Sequence, residues 1–405
     1  MKTYPGAGRG AWLAIACCAC ASVAHGDAGD VFNVSVSQTL TYDDNLFRLP
    51  AGANPSTGGG STSRVDSISH TGVRLTADKP VGRQVLHAAV GMTKVRYDRH
   101  RQLDGELSSH AASWDWAFGR QWSGVLSYSS AQTIPGFGDY RAQVRDILTT
   151  DALAVRAVYG FHPDWRLILG AASTRATHSA SVNAIGDSRV ESADAGLRYV
   201  PGTGKEFGLR VRHAEGSYPN RQAVAGNLID NGYAEDGIDL DAAWQFSGAS
   251  NFQGAIGQTR RSHNDIPGRD FSGTTGRLNW TWQPTGRTSL GFGARREIGS
   301  QDDLFATYTV IDAMTLTAGW QPTAKLSFSA RGELRRRDQQ GDPASVIGNA
   351  PTRSDDDRIL SLGVGYAAMR DLRLNLSLRE ERRESNLATG SYRTRQLMLA
   401  ATLAF

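Results

Sequence analysis

From Phe32 to Tyr42 the chain alternates: Phe32, Val34, Val36, Leu40 and Tyr42 interleave with Asn33, Ser35, Ser37, Thr39 and Thr41. Successive side chains of a strand point to opposite faces, so a period of two predicts a strand with one apolar face. The pattern returns at Phe207, Leu209 and Val211 against Gly208, Arg210 and Arg212. It returns at Leu326, Phe328 and Ala330 against Ser327, Ser329 and Arg331, and at Leu372, Leu374, Leu376 and Leu378 against Arg373, Asn375, Ser377 and Arg379. The chain ends on it, with Leu397, Leu399, Ala401, Leu403 and Phe405 on one face. A soluble sheet with so much apolar face needs a second layer, and no segment is left over to supply one.

The connections alternate as regularly as the strands. Short turns usually carry Pro or Gly beside an aromatic flank, as in FHPDW from Phe161, WQPTGR from Trp282 and WQPTAKL from Trp320, and YAAMRDL from Tyr366 keeps the aromatic. With Phe118, Tyr159, Tyr199, Trp244, Trp282, Trp320 and Tyr366 as markers, the spacings are 41, 40, 45, 38, 38 and 46 residues. That is a repeat of one hairpin plus one long loop. Aromatics gathered at one end of successive hairpins suit a membrane interface, where amphipathic rings sit at headgroup level. Eight short turns, with a first and a last strand, predict an all-β, transmembrane, antiparallel up-and-down β-barrel of about 18 strands.

Charged residues on the outward parity (Lys94, Arg96, His110, His213, Arg296, Asp312 and Arg358) fall toward the long-loop ends. A charge on the lipid face costs about 2–4 kcal/mol at mid-membrane and about 0–1 near the interface, so this placement fits a barrel.

Composition narrows the setting. Hydrophobic residues are 40% and charged residues 21% of the 405, and no apolar run approaches the roughly 20 residues of a spanning helix. Residues 1–26 read as an N-terminal signal peptide: Lys2 and Arg9, the apolar stretch Ala11–Ala21, then small residues through Gly26. Cleavage after Gly26 or after Ala24 fits equally. A lipid-anchor signal wants Leu or a similar residue three before its cysteine, where Cys17 has Ala14. Cys17, Cys18 and Cys20 all lie in this leader, so residues 27–405, the barrel, carry no cysteine and no disulfide. Removing Lys2 and Arg9 lowers the formal charge from +4 to +2, too little to argue for nucleic acid.

Enzyme and cofactor chemistry find no support. The histidines show neither i, i+4 pairing nor HExxH, GxSxG is absent, and the Trp114-Asp115 dipeptide occurs once where a propeller would repeat it. The acidic stretch Asp230–Asp241 lacks calcium-loop spacing, and Asp239 and Asp241 alternate with Ile238 and Leu240 as lumen residues. No metal or other cofactor is expected.

The candidate chemistry lies on the inward parity. Arg74, Arg156, Arg166, Arg198, Arg210, Arg212, Arg277, Arg295, Arg331, Arg335, Arg373 and Arg379 face the lumen there, against Asp115, Asp194, Asp239, Asp241, Glu333 and Glu381. Acid pairing that fills a wet interior is one reading. The other is a two-to-one cationic excess on a low-dielectric wall, which concentrates anions along a path. Arginine's planar fork suits carboxylate or sulfate groups.

The segment LTYDDNLFRLP, Leu40–Pro50, together with the Trp-Gln-Pro-Thr turns and terminal Phe405, resembles the outer-membrane barrels encoded in bacterial exopolysaccharide operons, the EpsL-like branch of the β-barrel porin families. The resemblance implies location in the bacterial outer membrane, contact with outer-membrane lipid, and export of an anionic polysaccharide beside periplasmic or inner-membrane export components. It supplies no role for Asp43, Asp44 and Asn45, for which a tight turn at the membrane rim is the simplest reading. Two further functions remain open from the residues: a general anion-selective diffusion porin, and a non-conducting surface scaffold with 43–66 and 338–355 as binding loops. Those loops could also fold inward and plug the pore.

Overall fold

The computed structural model describes residues 31–56, 61–139, 142–202, 204–221, 231–263, 270–299, 308–340 and 353–405. The leader and most of loop 338–355 lie outside these. Eighteen strands follow one another: β1 Phe32–Asp43, β2 Asp66–Val81, β3 Gln84–Tyr97, β4 Gly105–Phe118, β5 Trp122–Thr133, β6 Leu148–His162, β7 Trp165–His178, β8 Ser188–Tyr199 and β9 Lys205–Ser217. The second half comprises β10 Gly232–Ser247, β11 Ser250–His263, β12 Phe271–Thr285, β13 Thr288–Gly299, β14 Tyr308–Trp320, β15 Leu326–Gln340, β16 Ser354–Ala367, β17 Leu372–Ser385 and β18 Tyr392–Ala404.

Every strand pairs antiparallel with its neighbours in sequence, and β1 pairs with β18, so the sheet has no free edge. The seam runs from Ser35 opposite Ala404 to Asp43 opposite Gln396. The last residue completes it: Phe405 N–H donates to Val34 O at 2.8 Å and Val34 N–H donates back at 3.3 Å. Closure satisfies backbone groups that hydrocarbon cannot, which is why a spanning sheet must be a barrel.

With the register fixed, parity assigns every side chain to lipid or lumen. Leu240, Ile256, Leu316 and Leu399 are at least half exposed, which water would punish and hydrocarbon rewards. At the short-turn end the outward aromatics stack in pairs, Trp122 on Tyr159 at 4.6 Å, Trp165 on Tyr199 at 4.8 Å and Trp320 on Phe328 at 5.4 Å. Both termini of the barrel share that end. Short turns are periplasmic and long loops extracellular in barrels of this kind. Of the outward charged residues named from sequence, His110 sits deepest, five residues in from the loop end of β4, its ring tilted against Tyr128 at 5.9 Å.

The apolar core is small and lies inside the extracellular end. Inward-facing Ile68, Val95 and Tyr97 on β2 and β3 pack with Leu46 and Phe47 of the first long loop, Leu103 of the next and Phe137 of the loop after β5. The first long loop therefore folds inward. Asp43 holds its base: the buried carboxylate accepts from Asn45 N–H, the Arg48 guanidinium, Thr394 Oγ1 and Gln396 Nε2. Asn45 Nδ2 donates to Arg393 O, and Asp44 accepts from Arg395 N–H. The Asp-Asp-Asn segment thus bolts the loop to the far strand of the seam.

Replacing Leu399, mid-belt on the lipid face of β18, by Arg is expected to cost about 2–4 kcal/mol, whereas Arg395→Leu at the rim should change stability by no more than about 1. Equilibrium denaturation in lipid vesicles checks both.

Candidate functional site

The lumen wall divides into two arcs. On β8 to β17, arginines and carboxylates alternate across strands. Arg198 contacts Glu206 at 3.1 Å and Asp241 at 3.3 Å, and Arg210 contacts Asp239 at 2.7 Å. Glu235 bridges Arg212 at 2.8 Å and Arg261 at 2.6 Å. Glu333 joins Arg331 at 2.8 Å to Arg295 at 3.6 Å, and Arg295 also meets Glu297. Arg335 binds Asp357 and Arg379 binds Glu381, both at 2.9 Å. Arg277, opposite Ala255 and Arg295 in register, and Arg373, opposite Ala367 and Thr402, line the same arc.

The arc from β2 to β7 is sparser. His87 lies between Asp78 and Asp115, 3.6 Å from the latter. Asp194, on β8 at the edge of this arc, leans over Gly170, where a Cβ would stand 2.4 Å from its carboxylate oxygen. Arg74, Arg156 and Arg166 face the lumen on β2, β6 and β7 and make no ion pair or side-chain hydrogen bond with any described residue. All twelve arginines singled out by parity thus line one cavity, and these three present their donors to its solvent.

The inward parity also carries residues that the sequence reading did not include. Arg261, Arg337 and Arg383 join the cations. Asp43, Asp66, Asp78, Glu206, Glu235, Glu297, Asp355 and Asp357 join the acids, so the cationic excess over the whole wall is much smaller than two to one. Most of these additions sit at the extracellular ends of the strands, where both faces are polar and the two-residue beat is lost.

The mouth is crossed by the loop after β5. Phe137 packs edge-on against Phe47, with ring centroids 4.8 Å apart, and the next two residues reach the wall of β15 and β17. Gly138 O accepts from Arg383 Nη1 at 2.8 Å, and Asp139 contacts Arg383 at 2.8 Å and Arg337 at 3.0 Å. Gly138 is required by close approach: a Cβ there would stand 2.8 Å from Tyr392 Oη. Behind the latch, Asp355 and Asp357 are fully buried among Arg335, Arg337, Arg353 and Arg383. A second anchor lies at the loop's far end, where Asp146 binds His178 Nδ1 at 2.6 Å and Asn183 Nδ2 at 2.8 Å.

Burial would raise the carboxyl pKa of Asp139, but Arg337 and Arg383 outweigh it and hold it well below the usual carboxylate range. Burial of Asp146 is likewise outweighed, by Asn183, Ala180 N–H and His178, and its pKa is lowered.

The closed 18-stranded cylinder has the fold of an outer-membrane β-barrel of porin type. Residues 229–405, from just before β10 to the carboxy-terminus, match the family described as "Putative beta-barrel porin 2". No curated protein matches the chain by sequence. Among solved structures, Pseudomonas aeruginosa OpdK with vanillate is similar at 10% identity and TM-score 0.51, over 92% of this chain and 99% of that one. P. aeruginosa OccK2 (OpdF) in complex with glucuronate aligns at 11% identity and TM-score 0.51, over 92% and 98%. A BenF-like porin from Pseudomonas fluorescens Pf-5 aligns at 10% identity and TM-score 0.51, over 92% and 99%. At such identities the likeness is one of fold.

Asp139→Asn should release the loop from Arg337 and Arg383 and raise the single-channel conductance or its flicker. Because the folded pKa of Asp139 is depressed, its contribution to the latch is present above the unfolded carboxylate value of about 3.9 and is lost as pH falls through the folded value. Wild-type conductance is accordingly expected to be insensitive to this group from pH 7 down to about 4, which planar-bilayer recordings check.

Proposed function

We propose that the protein is a selective diffusion channel for small carboxylate-bearing solutes. Arg74, Arg156 and Arg166 carry this reading, since they line the cavity with fixed positive charge that no described acid neutralises. Charge on a low-dielectric wall concentrates anions, and the guanidinium fork matches a carboxylate in two parallel hydrogen bonds. The remaining lumen arginines are held in the ladder of the opposite arc. The loop latched by Asp139 narrows the mouth, which favours small solutes over a polymer. Two barrels of similar fold are described with vanillate and with glucuronate, both carboxylates, which supports the solute class.

Export of an anionic polysaccharide, with periplasmic or inner-membrane partners, rests on the Leu40–Pro50 resemblance. It would require the loop after β5 to leave the mouth. A scaffold role would require the channel to be closed.

Proteoliposome swelling separates these readings. The wild type should admit small mono- and dicarboxylates several-fold faster than neutral sugars of equal size. The triple variant Arg74→Ser, Arg156→Ser, Arg166→Ser should lose most of that preference while keeping neutral-solute flux. Equal carboxylate preference in the variant would remove the proposal, and an impermeable wild type would point to the scaffold.

A further inference from the structure

The outer face of the barrel is not uniformly convex. A cavity of about 1130 Å³ opens on the lipid side of β9 to β16. Two adjacent rows of outward residues make up most of its lining, read along the cross-strand register, with residues of inward parity such as Ala255 and Thr275 between them. One runs Phe207, Ala242, Gly254, Leu278, Ala294, Met314, Leu334, Arg358. The other runs Leu240, Ile256, Gly276, Arg296, Asp312, Arg336, Asp356. Ala242, Gly254, Gly276 and Ala294 make the hollow by having almost no side chain where their neighbours are large.

The rows climb toward the extracellular end as they cross the tilted strands. Leu240 lies eight residues from the loop end of its strand, Gly276 five, Asp312 four and Asp356 two. The groove therefore starts in the apolar belt and finishes at the rim, greasy at one end and charged at the other. At the charged end exposed Arg296 meets Asp312 at 3.0 Å and exposed Arg336 meets half-buried Asp338 at 3.1 Å. Arg358 is exposed and has no partner among the described residues.

We propose that this groove binds an outer-leaflet lipid with a phosphorylated headgroup, that is, lipopolysaccharide, its acyl chains over Ala242, Gly254, Gly276 and Ala294 and a phosphate on Arg358 with Arg336 and Arg296. The apolar half excludes a free phosphate as sole occupant, because only an amphiphile fills both ends. The charged half selects against neutral tails through Arg358, whose guanidinium has no partner among the described residues and forms charge-assisted, bidentate contacts with phosphate. Its position selects the leaflet, because the arginines stand at the long-loop end. Asp312, Asp338 and Asp356 beside them leave room for a bridging divalent cation between carboxylate and a second phosphate.

The full barrel, extracted from outer membranes in mild detergent and washed, should retain lipopolysaccharide in stoichiometric amount by native mass spectrometry. Its affinity for added lipopolysaccharide should exceed that for phosphatidylethanolamine at least about tenfold. Arg358→Ser, which breaks no ion pair within the described residues, should weaken retention, and Arg296→Ser with Arg336→Ser and Arg358→Ser should abolish it. Ala294→Phe, which fills the hollow without touching charge, should do the same. Each variant is checked for heat-modifiable migration, so that a misfolded one is replaced by Arg358→Ser alone. Undiminished retention by folded Arg358→Ser and Ala294→Phe would overturn the proposal, as would equal affinity for phosphatidylethanolamine.

Discussion

Backbone closure in hydrocarbon governs this molecule. An amide left unpaired in lipid costs several kcal/mol, so a sheet that spans a membrane must bond its last strand to its first. Here the seam between β1 and β18 meets that demand from Ser35 to Asp43, and Phe405 fastens the final rung. Once the cylinder is closed each side chain has one of two solvents, and strand parity alone decides which. The apolar belt, the aromatic ring pairs at the periplasmic end and the charged lumen are consequences of that single sorting.

Inside the cylinder the difficulty is reversed. A wet interior tolerates charge, but an uncompensated wall would repel itself, and the arc from β8 to β17 resolves this by setting most of its arginines against a carboxylate on a neighbouring strand or two residues along its own. The result is a wall of cross-strand ion pairs. The arc from β2 to β7 leaves three guanidiniums without such partners, so the positive potential of the lumen is carried on one side. The latch of Asp139 on Arg337 and Arg383 draws the loop after β5 across the mouth from the sparse arc to the dense one. Size and charge are thereby selected by different parts of the same passage.

Much of this was legible in the residues. A two-residue beat at Phe32–Tyr42 or Leu397–Phe405 leaves only one apolar face, and the Trp-Gln-Pro-Thr turns mark the hairpin ends, so strand number, closure and the inward position of Arg210 or Arg379 followed. The beat fails where strands rise beyond the belt, because lipid no longer punishes a polar outward residue. That is why Glu235, Arg261, Asp355, Asp357 and Arg383 escaped the count of lumen charges and the cationic excess was overestimated. The inward loops were hidden for another reason: Leu46, Phe47 and Phe137 are single apolar residues among turn formers, and their partners Ile68, Val95 and Tyr97 lie far along the chain. Apolar residues at inward, loop-end positions of β2 and β3 were the available signal. The bolt from Asp43 to Thr394 spans nearly the whole chain, a contact no local pattern encodes.

The central claim is that a closed, lipid-facing cylinder surrounds an open passage whose unneutralised charge is positive. The reversal potential of the purified wild-type protein in a planar bilayer under a potassium chloride gradient tests it most directly. The account requires an open current whose reversal potential lies on the chloride side of zero, drawing toward zero as ionic strength screens the lumen. A reversal potential on the potassium side, or a bilayer that stays silent with folded barrels inserted, would contradict it.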